Sequence, residues 1–389
     1  MFFILALFAF FAIALPDAML GVAWPFMRVT FDQPLAAMSL VLPFGLAATV
    51  VSTSGWTWAA ARLGLGRLLA GSVALSAVAL LCCVIAPGYW VIVACAVLFG
   101  LSGGAIDAAL NAYAARHFGP RRMNLMHAAY GMGAATSPLI VTGVVSTGAS
   151  WRWAYLTVMV IQVVLTLLFA ATSRRWNEAA AEANAARPAT RSLTTPARGR
   201  WRPPRRAVAG LLVVAVESGL EAAVGLWAFV FPLEAVMLKT ATAGFAVSGY
   251  WAALVIGRVL LGSVAERVGT WPVLAASTIM AVSAAALLMS GQPIAAAGVV
   301  LLGLAAAPIY PLLVLTTAER TSAGSVDRLV GFQAAVSTLG VATFATLVGL
   351  IMGANVTAFA YCVLVLALLT SAGLWLLKPG HRAHPEAGI

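Results

Sequence analysis

The sequence predicts an all-α polytopic membrane protein, with twelve transmembrane helices arranged as two six-helix bundles. Three observations predict it. Of 389 residues, 62% are hydrophobic and 9% charged, with a mean hydropathy of +0.98, whereas soluble domains carry about 25% charged residues. Apolar runs of about 20 residues, the length that crosses a bilayer core, recur twelve times along the chain. One long polar stretch divides them six and six.

In order, the runs cover 2–27, 34–58, 68–87, 90–114, 127–147, 152–172, 207–231, 241–262, 271–289, 293–317, 330–351 and 356–377. The first, MFFILALFAFFAIALPDAML, lacks a basic leading segment and a small-residue cleavage site, so it reads as a span and not a signal peptide. The polar stretch SRRWNEAAAEANAARPATRSLTTPARGRWRPPRR is too polar to span and rich in Ala, Pro and Arg, the composition of a linker. The expected organisation is therefore a first bundle at 1–172, a linker at 173–206, a second bundle at 207–378 and a tail at 379–389.

The halves echo one another. Span one ends GVAWPFM with Pro25, and span seven ends WAFVFPL with Pro232. Arg62 follows span two in ARLG, and Arg267 follows span eight in GSVAERVG. Span five, HAAYGMGAATSPLIVTG, and span eleven, QAAVSTLGVATFATLVG, share length and small-residue texture. A repeat of six spans predicts two bundles that rock around a central cavity.

The formal charge of +11 does not indicate a nucleic-acid partner, because the basic residues lie between apolar runs and act as topology signals. With a cytoplasmic N-terminus, 19 of the 23 Lys and Arg fall on the cytoplasmic side. Both termini are expected inside, with the lipid bilayer as the surrounding partner. The four cysteines, Cys82, Cys83, Cys95 and Cys362, lack metal-ligand and disulfide spacing. No nucleophile–base, metal or phosphate motif points to an enzyme or a bound cofactor.

Charges inside apolar runs are the informative residues, since a carboxylate facing lipid costs about 2.5–3.5 kcal/mol. GGAIDAALNAYAARHFG places Asp107 and Asn111 four residues apart, on one helical face. Asp107 reads either as a proton carrier and solute contact, or as a buried fixture paired with Arg116. Asp17 lies in IALPDAMLGVAWP, where Pro16 is expected to interrupt the first span and free backbone polarity. Glu217 and Glu221 in VESGLEAAVG again share a face, so one is expected to carry a proton or meet a cation. The alternative is a glutamate held by a neighbouring arginine.

Tyr113, Asn124, Tyr130, Gln162 and Gln333 are candidate hydrogen-bonding residues of the cavity, and His127 reads first as a packing residue. Trp24, Trp227 and Trp251 offer flat faces that suit sugar rings, although several of the 12 tryptophans must anchor the interfaces. GSVAERVG (Gly262 to Gly269) reads as a gate: Gly262 and Gly269 allow a tight turn, and Glu266 and Arg267 are placed to pair or to cap helix ends.

This last motif resembles the signature that the major facilitator superfamily carries between spans two and three and repeats between spans eight and nine. The first copy, TWAAARLG with Arg62, departs from it at Thr57 and Ala61, where glycine and an acidic residue are usual. Within that superfamily, Asp107-Ala-Ala-Leu-Asn111-Ala-Tyr113 is similar to the E-x-A-x-N-P-Y run of fucose-permease-like sugar/proton symporters, with aspartate for glutamate and Ala112 for proline. The resemblance implies that Asp107 joins proton coupling and substrate binding, that Asn111 lines a sugar cavity, and that Asp17 is a second proton-linked carboxyl. LNAYAARHF and MNLMHAAYGMGA look like a bacterial branch of the family, which implies an inner-membrane protein working as a monomer.

The expected function is thus secondary active transport by alternating access: proton-coupled uptake of a sugar or similar small polar solute, with protons as the coupling ion. Proton-driven efflux of an amphiphilic compound is the alternative, since Pro138 in ATSPLIVTG sits where drug antiporters carry a Gly-Pro turn. A sensor or scaffold that keeps the fold without transporting is a third class, and it would tolerate loss of Asp107.

Overall fold

The computed structural model describes residues 1–185, 203–291, 294–322 and 325–378. The expected tail at 379–389 and the part of the linker at 186–202 lie outside the described residues. Twelve helical segments among the described residues are long and apolar enough to cross a membrane. No strand occurs among those residues.

The helices are α1 (Phe2–Thr30), α2 (Met38–Leu63), α3 (Leu65–Ile85), α4 (Tyr89–His117), α5 (Pro120–Val145), α6 (Arg152–Ala185), α7 (Arg205–Trp227), α8 (Thr240–Val268), α9 (Thr270–Leu287), α10 (Ile294–Ala306), α11 (Ile309–Leu315), α12 (Val326–Ala354) and α13 (Ala358–Leu377). The tenth span, expected as one helix over 293–317, is built from α10, α11 and a 3₁₀ turn at Thr316–Glu319. Pro308 explains the break, because it lacks an N–H and clashes with the preceding turn.

Three further departures have physical causes. α6 continues to Ala185, beyond the expected end at 172, because RRWNEAAAEANA is rich in helix formers and Arg174 pairs with Glu178 at 2.8 Å, four residues on. The seventh span ends in a π-helical turn at Phe231–Ala235 that contains Pro232. Pro16 does not interrupt the first span: α1 runs unbroken through Pro16 and Pro25. The carbonyl that Pro16 leaves without its helical donor is that of Ala12, and Gln162 of α6 donates its Nε2–H to it at 2.8 Å. Gln162 is fully buried, so the amide expected to face the cavity instead completes a proline-containing helix.

In the first half α1 packs on α5, α2 on α4 and α3 on α6; in the second α7 packs on α12 and α13, and α8 and α9 on α10. Two seams join the halves, α5 against α8 and α2 against α12. Within them Gly244 meets Thr142, Gly349 meets Ser39, and Ser248 donates to the Ala135 carbonyl at 2.7 Å.

The apolar core is unevenly divided along the molecule. At the end remote from both chain termini, one continuous cluster runs through both halves and includes Trp24, Met38, Trp151, Trp227, Phe231 and Phe359. At the terminal end there are two clusters. One holds Leu69, Leu110, Phe169 and Trp176 of the first half, and the other holds Val214, Leu274, Leu313 and Leu374 of the second. The halves are therefore fused at the far end and packed separately at the terminal end.

An ion pair ties the far end. Arg28, near the end of α1, donates from Nη2 to both carboxylate oxygens of Glu234 at 2.9 and 3.0 Å, and Phe26 packs on Phe229 beside them.

Candidate functional site

Between the halves lies a cavity of about 620 Å³, lined mainly by α1, α2, α4 and α5, with Arg258 from α8 and Val341 from α12. Glycine creates its width on one side. A Cβ at Gly100 would collide with the Gly45 carbonyl, and one at Gly104 with Ser52 and the Thr49 carbonyl. GLSGGA therefore lets α4 lie against α2, which brings Thr49 and Thr53 to the same cavity as Asp107.

Asp17 and Asp107 both face this space. Each is exposed to the cavity while its helix is packed on either side. Tyr130 of α5 donates its hydroxyl hydrogen to Asp17 Oδ2 at 2.9 Å. Asn111 donates from Nδ2 to Asp107 Oδ1 at 2.9 Å, so the i,i+4 spacing holds the carboxylate from its own helix. His127 also lines the cavity, its ring T-shaped to Phe10 with centroids 5.3 Å apart.

The second half contributes an acidic pair with one cation. Glu221 accepts two hydrogen bonds from Arg258 Nη2 at 3.0 and 3.2 Å. Glu217, one turn earlier, is 1% exposed; Ser218 approaches its Oε2 at 3.5 Å, and its Oε1 has no hydrogen-bond partner. Among the described residues the arginine pairs with Glu221 alone. The alternative of a glutamate held by a neighbouring arginine describes Glu221, whereas Glu217 is the sealed member.

Other expected contacts lie elsewhere. Trp24 and Trp227 are fully buried, and their indoles donate to the Leu35 and Ala345 carbonyls at 3.0 and 2.9 Å. They stabilise the far-end core and offer no ring to a solute. Trp251 covers Ala14, Ala18 and Ala134. Tyr113 is 4% exposed, stacked on His117 at 3.9 Å and edge-on to Trp176. Gln333 is buried and accepts from the Thr317 hydroxyl at 3.0 Å. Hydropathy marks these residues as unusual in a span but does not say which way they point.

The residues expected to form a gate lie at the terminal end. Arg62 stacks over Trp58 at 4.3 Å. Gly262 has open space around it, and Gly269 ends α8 with φ +94°. Glu266 and Arg267 are exposed, and neither forms an ion pair among the described residues. Arg258, Thr49 and Thr53 are the cavity residues that the sequence reading passed over. The signal for Arg258 was present, since an arginine inside GYWAALVIGRVLLG is as anomalous as an aspartate inside span four.

The Major Facilitator Superfamily pattern matches residues 6–239. Over 138 residues the chain is 32% identical to the "Multidrug resistance protein B homolog" of Mycobacterium tuberculosis, in strains CDC 1551 / Oshkosh and H37Rv. That stretch is 35% of this chain and 25% of each relative, so the chain spans about a quarter of the length of the curated relatives it matches. A crystal structure of the nucleoside transporter NupG superposes with a TM-score of 0.72 at 12% identity, covering 96% of this chain and 98% of that one. A D-xylose-proton symporter superposes with a TM-score of 0.74, also at 12% identity, covering 97% of each chain. At that identity the likeness is one of fold.

Proposed function

The chain belongs to the major facilitator superfamily, and on that premise we propose that it is a secondary active transporter driving proton-coupled uptake of a sugar or similar small polar solute. One observation carries the reading: two carboxyls, Asp17 and Asp107, face a single cavity between two bundles, each held by a neutral hydrogen-bond donor. A carboxyl in that setting changes state by gaining or losing a proton, without covalent chemistry, as its cavity opens to one side or the other.

In this proposal residues 1–172 and 207–378 are the two rocking bodies, joined by a cytoplasmic linker at 173–206. The basic residues outside the spans support a cytoplasmic terminal end, with both termini and the 379–389 tail inside a bacterial inner membrane. The fused far-end core and the separate terminal-end cores then correspond to an inward-facing state. Asp17 and Asp107 take protons from outside, the solute binds, and inward opening releases both. Asn111 and Tyr130 orient solute hydroxyls beside the two carboxyls, Glu217 and Glu221 couple the second half, and the protein acts as a monomer. The run shared by Asp107 and Asn111 supports a fucose-permease-like branch.

A second reading, proton-driven efflux of an amphiphilic compound, is favoured by the cavity wall around the carboxyls. That wall is apolar, with Ile13, Leu20, Val41, Leu46, Phe99 and Val341, and the local relatives carry the name multidrug resistance protein. The test uses purified full-length protein in proteoliposomes with an acidic exterior and a panel of labelled neutral monosaccharides. Accumulation of one of them, lost on adding a protonophore, supports uptake. No accumulation of any, with protonophore-sensitive transport of a lipophilic dye cation, overturns it in favour of efflux.

A further inference from the structure

α5 and α8 run antiparallel along their seam, and their contacts step in register. Thr142 lies against Gly244, Ala135 accepts from Ser248, and Gly131 meets Val255. Each pair is nearer the terminal end than the last. One more turn along both helices places Arg258 opposite His127 and Ala128, and a further turn places Gly262 opposite Asn124. At the Arg258 level the seam has parted: Arg258 and His127 are both exposed and both line the cavity.

Arg258 is held at this level by its own half, through Glu221, with 45% of its side chain exposed. Closing the terminal end extends the seam by one turn and carries the guanidinium toward the face that holds His127 and Asp107. We propose that Arg258 is a coupling residue that exchanges Glu221 for Asp107 as the terminal end closes.

The exchange makes closure depend on charge. With Asp107 ionised, the closed state gains a charge-assisted pair. With Asp107 protonated or occupied by solute, Arg258 stays on Glu221 and the terminal end opens. The titratable and charged groups facing this path are Asp17 on α1, Asp107 on α4, His127 and Tyr130 on α5, Glu217 and Glu221 on α7, Tyr250 on α8 and Tyr310 on α11. Glu221 is the direct competitor for Arg258, and Asp107 is the acceptor on the opposite half.

The proposal rests on the alternating-access reading, but its test needs no solute. Cysteines at Asn124 and Gly262 in the purified full chain report closure as the yield of a short bis-maleimide cross-link. In the parent background the yield should fall as pH drops from 8 to 5. At pH 8, Arg258→Gln and Asp107→Asn should each lower it about threefold, the size of one partly exposed ion pair. Their combination should do no more than either alone, Arg258→Lys should restore most of the loss, and Glu221→Gln should raise the yield.

A residue that merely supports packing would not move closure in opposite directions when its two partners are neutralised in turn. Equal yields for the parent and Arg258→Gln, multiplying effects of Arg258→Gln and Asp107→Asn, a decrease with Glu221→Gln, or no cross-link at any pH would each overturn the proposal. Failure of sugar uptake with these cross-linking results intact would remove the solute assignment and leave the exchange standing.

Discussion

Tyr130 and Asp17 meet at 2.9 Å across 113 positions of sequence, the phenol of α5 donating to the carboxyl of α1 inside the cavity. A hydrogen bond to an ionised group is worth about 1.5–3 kcal/mol, or roughly tenfold and more in an equilibrium. Tyr130→Phe keeps the ring and removes the donor. The initial rate of proton-driven uptake in proteoliposomes should fall about tenfold, with the purified protein still monodisperse and folded by circular dichroism.

Gln162 and Pro16 form a second dependent pair. Gln162 supplies the donor that Pro16 denies to the Ala12 carbonyl, and a bare carbonyl in the packed bundle costs about 1–3 kcal/mol. Gln162→Leu should lower the melting temperature in detergent. Pro16→Ala restores the helical N–H, so the double variant should recover most of that loss; equal losses in both backgrounds would contradict the assignment.

Gly64 and Gly269 end α2 and α8 in the same way, 205 positions apart. Their φ values are +82° and +94°, their ψ values 154° and 156°, and each N–H bonds the carbonyl four residues back at 2.9 and 3.0 Å. Residues other than glycine lose about 1–3 kcal/mol in that region. A Cβ at Gly64 would also press on Asn177 at 2.7 Å, whereas at Gly269 it meets only Pro272 at 3.7 Å. Both alanine variants should melt earlier than the parent, with Gly64→Ala the lower.

Arg28 and Glu234 hold the far end together with side chains 28% and 23% exposed. A double-mutant cycle with Arg28→Gln and Glu234→Gln, read by thermal unfolding, should give a coupling of about 0.5–1 kcal/mol that shrinks in high salt. Spin labels on exposed residues at the far end of α1 and α8, at Val29 and Phe245, should show a longer-distance population in either single variant.

The fold was legible in the sequence because a bilayer demands long apolar runs, and those runs are visible without knowing which side of a helix faces what. The departures came from local chemistry that hydropathy does not weigh. Pro308 splits the tenth span, and an alanine- and glutamate-rich continuation lengthens α6. Asp17, Asp107 and Asn111 stood out as polar groups inside apolar runs; the structure brings the two carboxyls to one cavity and bonds Asn111 to Asp107 from the same helix. Tyr113 and Gln333 stood out for the same reason, and Trp24 and Trp227 for their flat rings, yet all four point into the packing. Arg258 was not singled out, because its relation to Glu221, 37 positions away, appears only when α7 and α8 are packed.

Proton coupling is read most simply as the pH outside lightly buffered proteoliposomes as neutral monosaccharides are added, with Asp107→Asn beside the parent. Proton symport through Asp107 gives alkalinisation with at least one sugar for the parent and none for Asp107→Asn, which should still exchange that sugar across the membrane. Sugar entry without a pH change in the parent, or equal alkalinisation by Asp107→Asn, would contradict it.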